Sequence, residues 1–176
     1  MHTRFIIAVA FAAAVSFVPI SPASAGESWL ISDEYTLLSV DHHGEIRIVA
    51  NEATVECADG VKVVGAGTGI GISIFERIGV TVRNCIVEGF EYGIALTDSD
   101  ASQIVENTVA ENRVGISLWD SADNTLENNS AVSNAEFGFT IGGSHNTLAG
   151  NLAEANSGIG FAIWGDWGGN VLTGNE

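Results

Sequence analysis

Basic residues are scarce in this chain. Six Lys and Arg stand against 22 Asp and Glu, a formal net charge of −16. That balance argues against nucleic acid and anionic membrane surfaces as partners. It also disfavours polyanionic substrates unless metal ions intervene, although solubility in a salty medium explains it equally well. No Lys or Arg follows Arg113. Methionine occurs once, at Met1, and the prolines are Pro19 and Pro22. Beyond the leader the only histidines are His42, His43 and His145. After Val18 no apolar run approaches the ~20 residues of a membrane span.

Residues 1–25 read as a secretory signal peptide. Arg4 supplies the positive start, Phe5–Val18 the apolar core, and Ala23-Ser24-Ala25 a small-residue cleavage site. The apolar core is short for a membrane anchor, and no cysteine marks a lipid attachment. A secreted or periplasmic location follows, with the mature chain starting at Gly26. Export permits disulfides.

What is abundant is repetition. Gly93-Ile94-Ala95-Leu96 returns as Gly115-Ile116-Ser117-Leu118, Gly138-Phe139-Thr140-Ile141 and Gly160-Phe161-Ala162-Ile163. Two asparagine columns keep step, Asn107, Asn129, Asn151 and Asn112, Asn134, Asn156. Within each unit apolar residues alternate, which signals strands. Ile104, Leu126, Leu148 and Leu172 mark a second strand, and Val109, Ala131 and Ala153 a third. Three strands in ~22 residues leave no room for helices. Units stacked at the ~4.8 Å strand spacing make a parallel β-helix. The asparagines then form a structural ladder. Asn tolerates left-handed backbone at a corner and can pair with the amide one coil away.

The expected fold is therefore all-β, a right-handed parallel β-helix of 5–6 coils over residues 45–176. Residues 26–44 lie outside the period and read as an N-terminal cap. Gly65-Ala66-Gly67-Thr68-Gly69-Ile70-Gly71 has the look of a dinucleotide fingerprint. An alternating strand follows it where a helix would be needed, so it is a corner loop. The sequence stops at Glu176 in mid-coil with no capping helix. An open edge of this kind invites self-association, and a truncated family member is the other reading. Cys57 and Cys85 follow similar text one coil apart, within reach of a disulfide; two buried thiols or a metal site are the alternatives.

Val80-Thr81-Val82-Arg83-Asn84-Cys85, Gly89-Phe90-Glu91-Tyr92-Gly93-Ile94 and Asn124-Thr125-Leu126-Glu127-Asn128-Asn129 resemble the repeats of the pectate lyase-like superfamily. The nearest branch is that of the NosD-type periplasmic proteins and the related carbohydrate-binding and sugar-hydrolase modules. The resemblance covers about two thirds of the chain and implies fold more firmly than function. Lyases of this fold use carboxylates to hold calcium against an acidic sugar and a basic residue to abstract a proton.

Three groups of residues are candidates for chemistry. Asp98, Asp100, Asp120 and Asp123 lie on adjacent coils, an oxygen-rich set that suits Ca²⁺. The next coil has Gly142-Gly143-Ser144 there, and no base stands near. Trp119 and Trp164 follow the repeat strand at one phase, with Asp166 and Trp167 close by. Tryptophan beside carboxylates such as Asp98, Asp120 and Asp166 is a way to stack on sugar rings. Asp41-His42-His43 places two imidazoles on opposite faces of a strand, a surface pair that cannot chelate one ion. The lack of soft sulfur ligands leaves the copper role of NosD without support. No carboxylate pair stands out for a glycosidase. The sequence thus favours a non-catalytic protein that binds polysaccharide or cell-surface glycan, or a surface scaffold. A small calcium-assisted lyase, hydrolase or epimerase, or a NosD-like metal-delivery accessory, are the alternatives.

Overall fold

A computed structural model describes residues 28–164 and 168–176. The leader, Asp166 and Trp167 lie outside them. All regular structure in the described residues is strand. The first sheet stacks Trp29–Ile31, Ile46–Ile48, Ile70–Phe75, Tyr92–Thr97, Val114–Trp119, Phe137–Gly142 and Phe161–Ile163. The second stacks Tyr35–Leu38, Thr54–Cys57, Thr81–Arg83, Gln103–Val105, Thr125–Glu127, Thr147–Ala149 and Val171–Thr173. The third runs from His42–His43 through Lys62–Val64, Ile86–Glu88, Thr108–Ala110 and Ser130–Val132 to Leu152–Glu154. Pairing is parallel, and the central rungs keep the 22-residue register, as in Ile94↔Ile116, Ile104↔Leu126 and Val109↔Ala131. The described residues form a parallel β-helix of six complete rungs and the first two strands of a seventh.

Alternation explains the interior. Ile72, Ile94, Ile116 and Phe139 form one buried column, and Val82, Ile104, Leu126 and Leu148 another. Each such side chain contributes about 1.5–3 kcal/mol by leaving water. Phe139 and Phe161 stack with ring centroids 4.6 Å apart. On the last rung Leu172 is 42% exposed, whereas Leu148 one rung earlier is fully covered. The apolar column therefore surfaces at that edge.

Residues 26–44 are expected as an N-terminal cap; their described part, from residue 28, supplies the first rung itself. Trp29–Ile31 pairs with Ile46–Ile48, Tyr35–Leu38 with Thr54–Cys57, and His42–His43 with Val63–Val64. Their steps of 17 to 21 residues differ from 22 because the early corners are shorter. That irregularity hid the rung from a search for a fixed period.

The corners also differ from expectation. The left-handed residue is the one before each ladder asparagine: Glu106 (φ 55°), Asn128 (φ 52°) and Gly150 (φ 64°) in one column, Glu111, Ser133 and Ala155 in another. This residue turns the chain so that the following Asn points inward. Asn129 is 1% exposed. Its Oδ1 accepts from the backbone N–H and the Nδ2 of Asn107, both at 3.0 Å. Its Nδ2 donates to the Ile104 carbonyl and to Asn151 Oδ1. The second column repeats this through Asn112, Asn134 and Asn156. A third ladder, Ser102, Asn124, Asn146 and Asn170, closes the corner between the first and second sheets.

The disulfide continues the first ladder. Cys85 stands 22 residues before Asn107, and its N–H donates to Asn107 Oδ1. Cys57 and Cys85 are bonded, with Cα atoms 4.9 Å apart. Both are fully buried. The bridge closes a loop of 28 residues, for which chain entropy gives about 3.6 kcal/mol. Replacing both cysteines by serine should therefore lower stability by at least that amount. Denaturant melts of the variant, and of the native chain with and without reductant, measure it.

Candidate functional site

The outer face of the first sheet is the most distinctive surface. Alternation turns Arg47, Ser73, Ala95, Ser117, Thr140 and Ala162 outward in one register row. These are small beyond Arg47, and Ser73, Ala95 and Ala162 are covered by taller neighbours. The Thr140 hydroxyl donates to Ser117 Oγ at 2.9 Å. Toward the strand ends runs a second row, Phe75, Thr97, Trp119 and Gly142. Phe75 is 51% and Trp119 63% exposed. A rigid sheet thus holds two separated aromatic rings proud of a shallow floor. Gly142 leaves the far side of Trp119 open.

Trp164 follows Ile163, which pairs with Ile141, so its backbone continues that row beyond Gly142. Its ring sits edge-on to Phe137, with centroids 6.0 Å apart. Trp119 and Trp164 are therefore not a matched pair of platforms. Trp119 lies on a regular strand, whereas Trp164, 50% exposed, follows the last strand of that sheet.

The aspartates are corner residues. Asp98 (φ 48°) and Asp120 (φ 46°) are left-handed and stacked, the Asp98 N–H donating to the Trp119 carbonyl. Asp123 (φ 58°) belongs to a different left-handed column with Ala101 and His145. Asp100 Oδ1 accepts from the Ala122 N–H at 2.7 Å and is used up in the turn. The four do not converge. Among the described residues no group of three or more His, Cys, Asp or Glu is placed to share a metal ion. The calcium expectation finds no support, because the aspartates are split between two corner columns and Asp100 is engaged by the Ala122 N–H.

The histidine pair splits. His43 is exposed, as expected, but His42 is 1% exposed. It faces the interior against Trp29, ring centroids 5.6 Å apart. Neither ring nitrogen closes a hydrogen bond. Burial holds the imidazole below its ordinary value of 6.5, although the nearby Glu45 backbone opposes part of the shift. A depressed histidine pKa means that the unfolded chain binds more protons below about pH 6.5. Stability from this group is therefore full above that pH and lost as pH falls through the unfolded and then the folded value. His42→Phe should match or exceed the native stability at about pH 5.5 and flatten the slope below about pH 6.5. Urea melts across that range test it.

Most cations serve the scaffold. Lys62 pairs with Glu88 at 3.0 Å. Arg113 bridges Glu91 and Glu136 and lies over the Tyr92 ring. Glu56 accepts from Tyr35 and Arg83. Those bonds hold its carboxyl below the ordinary range, the wrong sense for a general acid.

Two hollows were not legible in the sequence. One, of about 420 Å³, lies beside the glycine loop and is lined by His43, Glu45, Gly65, Thr68, Gly69 and Phe90 among others. The glycine run was its only sequence signal. The other, of about 210 Å³, lies at the early end of the first sheet's outer face and is lined by Arg47, Ile48, Val49, Ser73, Phe75 and Arg77.

Stacked rungs with inward asparagine ladders define the class, a parallel β-helix repeat protein. Residues 24–176 match the family model described as periplasmic copper-binding protein (NosD), and the chain belongs to that family. No curated protein and no solved structure matches it.

Proposed function

We propose that this chain is a periplasmic, non-catalytic β-helix accessory protein that binds carbohydrate along the outer face of its first sheet. The family description supports a periplasmic location. The observation that carries the binding reading is Trp119, 63% exposed on a regular strand. It stands in one row with Phe75 and Thr97 beside a floor of small residues. Solvent exposure of so large an apolar ring on a rigid element marks a contact surface. Sugar rings have the apolar face it needs and hydroxyls for Ser117 and Thr140.

Copper, named in the family description, does not fit the described residues as a resident ion. Both cysteines are bonded to each other. His42 and His43 point to opposite sides, and His145 sits at a corner of another sheet. An accessory role is compatible with the family; a copper site built from these donors is not.

Titration of neutral oligosaccharides against tryptophan fluorescence tests the reading. Trp119→Ala should weaken binding about tenfold, the equivalent of ~1.4 kcal/mol. Trp164→Ala should do less. Oligosaccharide binding that Trp119→Ala leaves unchanged would overturn the proposal.

A further inference from the structure

Arg77 is the one described cation without a carboxylate within ion-pair distance; Arg47, Lys62, Arg83 and Arg113 all have one. In a chain of net charge −16 an unpaired guanidinium is unexpected. Its surroundings sharpen the point. The Arg77 Nε is shielded from solvent and makes no hydrogen bond. Its Nη1 donates to the Glu76 carbonyl at 2.7 Å, which fixes one end of the fork. A buried N–H left without an acceptor costs about 1–3 kcal/mol, so the fold tolerates this one at some expense.

Arg47 lines the same hollow. Its Nε lies 3.4 Å from Glu45, and its side chain is about half exposed. Ser73 lies next to Arg47 in register and offers a hydroxyl at the floor. Phe75, Val49 and Ile48 form apolar walls. Asp100, whose N–H donates to the Arg77 carbonyl, turns its Oδ1 to the Ala122 N–H. Glu45 is engaged by Arg47, and Glu76 stands at the corner with left-handed backbone. At about 210 Å³ the space falls below the ~300–1,000 Å³ of drug-sized pockets. It takes one compact group, not a polymer segment.

We propose that Arg47 and Arg77, with Ser73, form a binding site for a single oxyanion, a carboxylate, sulfate or phosphate group, whose carrier packs on Phe75. The guanidinium donors that Glu76 and Glu45 leave free on Arg77 and Arg47, with a hydroxyl, suit the acceptor oxygens of such a group. The inference stands apart from glycan binding at Trp119, because a free anion suffices to test it.

The test is NMR titration of the Arg Nε–H resonances in low salt, with sodium sulfate, sodium phosphate, glucuronate and neutral glucose as separate probes. The Arg77 Nε–H signal should shift on adding sulfate, phosphate or glucuronate, with a Kd of about 1 mM or tighter, and stay in place with glucose. Glucuronate binding more tightly than sulfate would show that the carrier ring contributes at Phe75. Arg77→Gln and Arg47→Gln should each weaken anion binding about tenfold, Arg77→Lys should do so less, and Arg113→Gln should leave it unchanged. Arg47→Gln guards against a folding defect in the Arg77 variants, because the Arg47 side chain is about half exposed. Shifts as large with glucose as with glucuronate, or sulfate affinity unchanged in both Gln variants, would overturn the proposal.

Discussion

Asn129→Ala is expected to destabilise the chain by about 3–5 kcal/mol. The side chain is buried in the middle of the first ladder and makes four hydrogen bonds. Its loss strands the Asn107 backbone N–H, which has no water to turn to, and takes one of its donors from the Ile104 carbonyl. It also removes one partner each from the Asn107 and Asn151 amides. Each unsatisfied buried group costs about 1–3 kcal/mol. Asn129→Asp separates this from simple cavity formation. It keeps the volume but turns both donor bonds, to Ile104 O and Asn151 Oδ1, into contacts between acceptors. Equilibrium urea unfolding of both variants measures the effect. Losses below about 1 kcal/mol in both would show that the ladder is ornamental.

Gly115→Ala is expected to cost about 3–4 kcal/mol. A Cβ there would lie 2.5 Å from the Gly138 carbonyl oxygen and 2.9 Å from Val109 Cγ2. The same approach recurs at Gly93 and Gly138, each with the glycine carbonyl of the next rung at 2.6 Å. The obstacle is backbone, so relief requires two strands of the first sheet to part. Gly168→Ala is the control, since nothing lies within 4 Å of its Cβ position. It should stay within about 0.5 kcal/mol of the native chain. Thermal or urea melts that rank the two variants equally would contradict the close approach.

These two residues also show why the architecture could be read without coordinates. Gly115 and Asn129 recur at a fixed period because stacked rungs force like onto like: the glycine by steric exclusion, the asparagine by buried hydrogen bonds. Any position under such vertical constraint leaves a periodic trace. The disulfide was legible for the same reason, since Cys85 occupies the ladder column of Asn107. The third ladder was overlooked because it begins with Ser102 and breaks step at Asn170, where the last corner is longer. The first rung was missed because short corners removed the period, not because its residues pack differently.

The surface is another matter. Outward residues face water and are free of vertical constraint, so Asp98 and Asp123 could be counted but not oriented. His42 illustrates the difficulty. The pleat dictates that one of His42 and His43 points inward, but only the Trp29 contact decides which. The hollow between Arg47 and Arg77 depends on residues 30 apart that line one space across an irregular step of 26 between rungs. No motif signals it.

The most direct test of this account is the contact map of the asparagine carboxamides by NMR. Nuclear Overhauser cross-peaks are expected between the side-chain amide protons of Asn107 and Asn129, Asn129 and Asn151, and Asn112 and Asn134, with hydrogen exchange slow enough to follow over hours. Cross-peaks at another sequence offset, or carboxamides that exchange as freely as exposed ones, would contradict it.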